Sequence, residues 1–101
     1  MMFSRHLRAR IKRGEITTTI RIWRWPHVKE GGRYKLDRGH VVVTSIKEIA
    51  IEDITEAMAV ASGFDGVEDL LKTAKHGAGS RVYFIEFHYV KGERRWLPDE
   101  D

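Results

Sequence analysis

Between Gly14 and Ile51 the chain carries three stretches rich in β-branched residues, TTTIRIW, RYKL and HVVVTSIKEIAI, joined by connections of only a few residues. A parallel strand pair needs a crossover of about a dozen residues or more, so these strands are expected to run antiparallel. Pro26 ends the first strand, Lys29-Glu30-Gly31-Gly32 turns the chain into a short strand at 33–36, and Asp37-Arg38-Gly39 turns it again. The third strand, from His40 to Ile51, starts with a continuous apolar run that points to burial on both faces.

Helical patterns flank these strands. Phe3, Leu7 and Ile11 recur at i, i+4, i+8 and mark the buried stripe of a first helix over 5–13, with Ser4 as its cap and Gly14 as its stop. Arg5, Arg8 and Lys12 fall on one flank of that stripe, Arg10 and Arg13 on the other. Cations in the last turn also suit the helix dipole. Asp53 or Ile54-Thr55-Glu56 opens a second helix that runs to about Ser62 and is closed by Gly63. A third, VEDLLKTAKH, is capped by Asp65 and closed by Gly77. The last strand, RVYFIEFHYV, spans 81–90, and its apolar residues do not alternate strictly, which a bulge or two-sided burial would explain. The order helix, three or four strands, two helices, strand fits an α+β fold with a curled, mostly antiparallel sheet or small barrel. Residues 1–90 form one domain in this reading, and residues 91–101, KGERRWLPDED, form a C-terminal tail.

Charge is unevenly distributed. Residues 1–50 hold 12 Lys/Arg against 4 Asp/Glu, and residues 51–101 hold 6 against 11. A polarised domain of this kind fits a polyanionic partner, although solvated surface charge would look the same. Cysteine is absent, which excludes disulfides and thiolate metal sites and fits a reducing compartment, so a cytoplasmic location is expected. The five histidines, at 6, 27, 40, 76 and 88, show no metal-ligand spacing, and neither a metal nor another cofactor is expected. No apolar run approaches the ~20 residues that span a bilayer. The opening MMFSRHLRARIKRG has no apolar segment of secretory type. Its arginine-rich character would suit a transit peptide, but the helix pattern assigns it to the fold.

Along GEITTTIRIW, Thr18, Ile20 and Ile22 share one strand face, while Thr17, Thr19, Arg21 and Trp23 share the other. The first set belongs in a core and the second faces water or a cleft. GEITTTIR is similar to the Gly-x-Lys-Thr-x-Thr-x-Arg stretch of ASCH domains, small barrels of the PUA-like superfamily. The turn PHVKEGG, the strand VVVTSIKEI, the segment DITEAMAVASGF and the closing VYFIEFHYV resemble further pieces of that family in the same order, over about residues 3–90.

The resemblance implies a PUA-like barrel with a cleft between barrel and helices, lined by the Thr/Arg strand and suited to RNA or a nucleotide. Some relatives are hydrolases of acetylcytidine that use a lysine, a threonine and a glutamate, and others are associated with RNA cleavage. Here the threonine falls on Thr19 and the arginine on Arg21, but Ile16 occupies the lysine position and Ser62 the glutamate position. A threonine hydroxyl is a weak nucleophile until a base takes its proton, and neither Ile16 nor Ser62 is such a base.

RNA binding is therefore the leading expectation, through Arg10, Lys12, Arg13, Thr17, Thr19, Arg21, Trp23, Arg24, Lys75 and His76. Hydrolysis of RNA or a modified nucleoside by Thr19 and Ser62 is the alternative. Each candidate also has a purely structural role open to it. Arg21 can bridge to Glu56 or Glu86, the tryptophans can fill the core, the threonines can serve β propensity, Ser62 can end a helix, and Lys75–Ser80 can simply reverse the chain. A protein partner meeting the acidic segment 51–69 is a third reading.

Overall fold

The computed structural model describes residues 3–74 and 79–92. Its elements run α1 (Arg5–Lys12), β1 (Thr18–Trp23), β2 (Arg33–Leu36), β3 (Gly39–Ile49), a 3-10 turn (Ile51–Asp53), α2 (Glu56–Ala61), α3 (Val67–Ala74) and β4 (Arg81–Val90). The four strands form one antiparallel sheet in the order β1-β4-β3-β2, curled into a half-barrel, so the fold is a small α+β arrangement with three helices. Among the described residues no helix is long and apolar enough to cross a membrane.

The last strand in sequence is central in space. Its odd residues Tyr83, Ile85 and Phe87 enter a first core with Phe3, which precedes α1, with Leu7 and Ile11 of α1, and with Ile16, Val28, Tyr34, Leu36, Val41 and Val43. Val82, and Phe84 beside it, enter a second core with Ile20 and Ile22 of β1, Ile54, Ala59 of α2 and Leu70 of α3. Strand β4 thus alternates strictly, with one side under α1 and the other under α2 and α3 for half its length. Beyond Phe84 that second side opens, and Glu86 and His88 are exposed.

The bulge lies in the neighbouring strand. Register shifts between Val43 and Ser45 of β3, opposite Phe87 and Glu86. Thr44 Oγ1 donates to the Glu86 carbonyl at 3.2 Å, and the Ile46 N–H donates to Glu30 Oε2 at 3.0 Å, which satisfies groups the interrupted ladder leaves over. An extra residue on one strand bends it and adds twist, and this is where the sheet curls. Strand β3 is also less buried than its apolar start implied. Val41 and Val43 are buried, Val42 is half-buried, and the strand stops at Ile49 before the 3-10 turn.

The ends of the helices follow local chemistry, with two differences from expectation. Gly14 and Gly63 adopt the left-handed backbone that ends α1 and α2, with φ +78° and +96°. Thr55 Oγ1 caps α2 by accepting from the Met58 N–H at 3.1 Å. Ser4 occupies the cap position of α1 but makes no side-chain cap hydrogen bond. Asp65 does not cap α3. Glu56 Oε1 takes the Val67 N–H at 3.2 Å instead, and the Asp65 N–H donates to Asp69 Oδ2 at 3.0 Å. The end of the third helix expected at residues 75–77 lies outside the described residues, as does the tail beyond residue 92.

Leu70 is fully buried in the second core, whereas Val60 on α2 is 52% exposed. Leu70→Ala should cost about 2–5 kcal/mol in urea unfolding. Val60→Ala should stay within about 0.5 kcal/mol. Equal effects would place α3 away from the sheet.

Candidate functional site

Among the described residues strand β1 pairs on one side only, with β4. Thr19, Arg21 and Trp23 stand opposite Ile85, Tyr83 and Arg81 of β4, and their side chains project to the α1 side of the sheet. Thr19 is buried there, and Arg21 and Trp23 are half-buried. Contacts to Thr19 and Phe3 help hold Arg21 in place. Its Nε–H donates to Thr19 Oγ1 at 3.0 Å, and its guanidinium carbon lies 5.0 Å over the Phe3 ring. Burial pushes the Arg21 pKa below that of a free guanidinium, since removing the cation from water disfavours its charged form. Beside it Trp23 stacks on His27, with ring centroids 4.5 Å apart and planes 11° apart, and leans on Tyr83 at 6.0 Å.

These side chains border a cleft of about 550 Å³. Consecutive residues of a strand point to opposite faces, yet all five residues from Thr19 to Trp23 line it. A hollow that meets five neighbours in a row runs along the strand's open edge. Phe3 and Ser4, just before α1, and Leu7 on it form one bank, and Thr73 of α3 with Phe64 forms the other. His27 stands at the Trp23 end and Ser62 at the opposite end. Ser62 Oγ lies 2.9 Å from Thr18 Oγ1, and Gly63 next to it brings the α2–α3 connection across to α1. A Cβ on Gly63 would lie 2.6 Å from Leu7 Cδ2, so any other residue would have to displace the Leu7 side chain, and the positive φ of +96° adds strain. The volume falls within the range of about 300–1,000 Å³ typical of small-molecule sites.

The cleft gathers Thr19, Arg21, Trp23 and Ser62 from the residues singled out in the sequence. Thr17 is exposed and outside the lining. Arg24 lies beyond the end of β1, exposed, its guanidinium carbon 5.7 Å over the ring of Trp25. Because the strand stops at Trp23, Trp25 does not share that residue's side of the sheet; it is exposed at a bend. Lys75 and His76 lie outside the described residues. Glu56, one suggested partner for Arg21, is used at the start of α3.

The cations at the end of α1 are engaged elsewhere. Lys12 Nζ meets Asp37 Oδ2 at 2.6 Å, with Arg8 at 3.7 Å from the other oxygen. Arg13 and Arg10 share Glu15, at 2.6 and 3.4 Å. The hydrogen bond from Lys12, with the charge of Arg8 added, holds the Asp37 carboxyl below the usual carboxylate range. Arg13 chiefly, and Arg10, do the same for Glu15.

Phe3, His27, Phe64 and Thr73 were not among the sequence candidates. Phe3 read as core stripe, which it also is. A lone histidine beyond Pro26 carried no pattern, and the sequence gives no sign that Phe64 or Thr73 meets β1. Among the described residues no group of His, Asp or Glu side chains is arranged to hold a metal. No family model, curated protein or solved structure matches the chain.

A lowered carboxylate pKa adds stability above the ordinary range, and this is lost as pH falls through the lowered value. The tie between α1 and the β2–β3 turn should therefore loosen in acid. Lys12→Met should move the Asp37 carboxyl up toward its ordinary pKa in a ¹³C-detected titration. An unmoved Asp37 would mean the pair does not form in solution.

Proposed function

We propose that this chain is an RNA- or nucleotide-binding domain of the PUA-like, ASCH type, and that the cleft along β1 takes a single nucleotide. Support comes first from Arg21, a half-buried guanidinium oriented by Thr19 and Phe3 inside a cleft that also offers an aromatic stack. A guanidinium forms two parallel hydrogen bonds to a phosphate and loses less on dehydration than an ammonium does. Trp23 supplies a ring on which a base can stack, a contact worth about 1–3 kcal/mol. The curled antiparallel sheet and the order of helices around it are consistent with the barrel that the sequence resemblance implies.

Binding is favoured over hydrolysis by the hydrogen bond at Thr19. Its oxygen accepts from Arg21, and a guanidinium that stays protonated cannot serve as the base that would activate it. Ile16, at the position of the family's lysine, is buried in the first core, and the Ser62 hydroxyl pairs with Thr18. The α1 cations are secondary in this reading, since Glu15 and Asp37 already neutralise part of their charge.

Fluorescence anisotropy with a labelled single-stranded RNA, repeated over a range of salt, tests the proposal. Arg21→Ala should weaken binding at least about tenfold for every sequence, as expected for losing a charged hydrogen bond of about 1.5–3 kcal/mol. It should also reduce the salt slope by about 0.7, one phosphate contact on a single strand. Arg10→Ala should change affinity less than about twofold. A folded Arg21→Ala protein that binds like the parent at low salt would overturn the assignment.

A further inference from the structure

Arg24, Trp25 and Pro26 join the two rings that stack at one end of the cleft, so they form a loop tip with a fixed base. Trp23 and His27 close that base, their ring centroids 4.5 Å apart. Gly79 backs it, since a Cβ there would lie 2.7 Å from the Trp23 carbonyl carbon and 3.0 Å from the Arg24 nitrogen. Pro26 restricts the tip further by disfavouring helical backbone at Trp25.

The tip carries two side chains that neither core uses. Trp25 is 57% exposed, and the Arg24 guanidinium carbon lies 5.7 Å over its ring. Among the described residues no carboxylate pairs with Arg24, unlike Arg10, Lys12 and Arg13. A single exposed hydrophobic residue needs no explanation by itself. Here the indole stands on a pinned loop, beside a cation, at the end of a cleft that already holds Arg21 and Trp23. Trp23 and Trp25 are two residues apart, so their Cα atoms are separated by at most about 7 Å. The Trp23 ring lines the cleft, and Trp25 stands outside the lining.

We infer that the nucleotide in the cleft is one unit of a single-stranded RNA, that Trp25 stacks on the neighbouring base, and that Arg24 meets the phosphate between the two. This rests on the nucleotide-binding reading above and names the ligand as a strand instead of a free nucleotide. Proteins that bind single strands combine cations along the backbone with aromatic rings on which successive bases stack. Trp23 and Trp25 are two such rings, with Arg24 between them in the chain. A base in the cleft is enclosed by its banks, whereas its neighbour lies in solvent, so the ring that receives it has to be exposed. Every base has a face to stack, and this second contact therefore adds affinity without selecting a sequence. The pinned base of the loop sets the ring's position in advance, which reduces what binding has to order.

Arg24 and Trp25 are exposed, so either can be replaced without touching a core. Binding of AMP, UMP and the 5′-phosphorylated dinucleotides pApA and pUpU to the full chain is followed by ¹⁵N NMR, with the indole signals assigned from single Trp→Phe substitutions. At least one dinucleotide should bind at least about tenfold more tightly than its mononucleotide, from one added stack and one added phosphate contact. The Trp23 indole signal should move with both ligands, and the Trp25 signal with the dinucleotide alone. Trp25→Leu should weaken the dinucleotide at least about fivefold, the loss of one stacked base, and leave the mononucleotide within about twofold. Arg24→Gln should weaken the dinucleotide and reduce its salt dependence, again sparing the mononucleotide. Dinucleotides that bind no more tightly than mononucleotides, or a Trp25 signal that moves with neither, overturn the strand reading. The nucleotide cleft then still stands if Arg21→Ala weakens the mononucleotide. Equal losses for the two ligands in Trp25→Leu also overturn the strand reading, because the indole would then act on the cleft and not on a second base. If Arg21→Ala changes neither ligand, or none of the four binds, the cleft assignment fails and this inference with it.

Discussion

The pairing of β1 with β4 is the constraint from which the rest of the molecule follows. Because the ladder is regular and antiparallel, it settles which β1 side chains enter each core and which peptide groups stay at the edge. Ile20 and Ile22 are drawn into the second core by Val82, Leu70 and Ala59. That commitment turns Thr19, Arg21 and Trp23 to the α1 side without any choice of their own. A slip of one residue would bury a guanidinium under α3 and expose two isoleucines, so the hydrophobic pattern itself guards the register. The polar wall of the cleft and the apolar wall of the core are thus two sides of one strand.

Electrostatics divides the cations by what surrounds them. At the end of α1 they are exposed and paired with carboxylates across short distances, and such pairs contribute little to stability. Their role is positional, since Asp37 ties the helix to the turn between β2 and β3. Arg21 is less exposed to solvent than these. Its charge is partly withdrawn from water, its Nε is occupied by Thr19 and its plane rests near Phe3. A charge in a low-dielectric wall acts more strongly on an arriving anion than one in open solvent. In the proposed reading the anion contact is therefore assigned to Arg21 of β1 and not to the arginines of α1.

How much of this could be read from the sequence depended on the range of the interactions. Alternation along β1 is local, and it correctly separated Thr19, Arg21 and Trp23 from Ile20 and Ile22. Strands at 33–36 and 81–90, the buried stripe of α1 and the glycine stops at 14 and 63 are local as well, and they stand where the pattern put them. Strand β4 looked irregular because one of its sides faces helices for half its length and solvent for the rest, a difference created by distant elements. The bulge was real but sat on β3, where nothing in the apolar pattern marked it. Neutralisation of Lys12 by Asp37 joins residues far apart in the chain, and no spacing rule anticipates it. Glu56 displaced Asp65 as the cap of α3 for the same reason: the carboxylate comes from the preceding helix.

Phe3 shows why a cleft residue can escape a sequence reading while its neighbours do not. It completes the stripe of α1, packs on Phe87 at 5.3 Å and lies under the Arg21 guanidinium, so one ring serves the core and the site together. A residue with a sufficient packing role leaves no surplus pattern to flag a second one. The same economy appears at Gly63, whose positive φ ends α2 and whose missing Cβ admits Leu7, closing the cleft from below. In a domain this small, few residues can be spared for function alone.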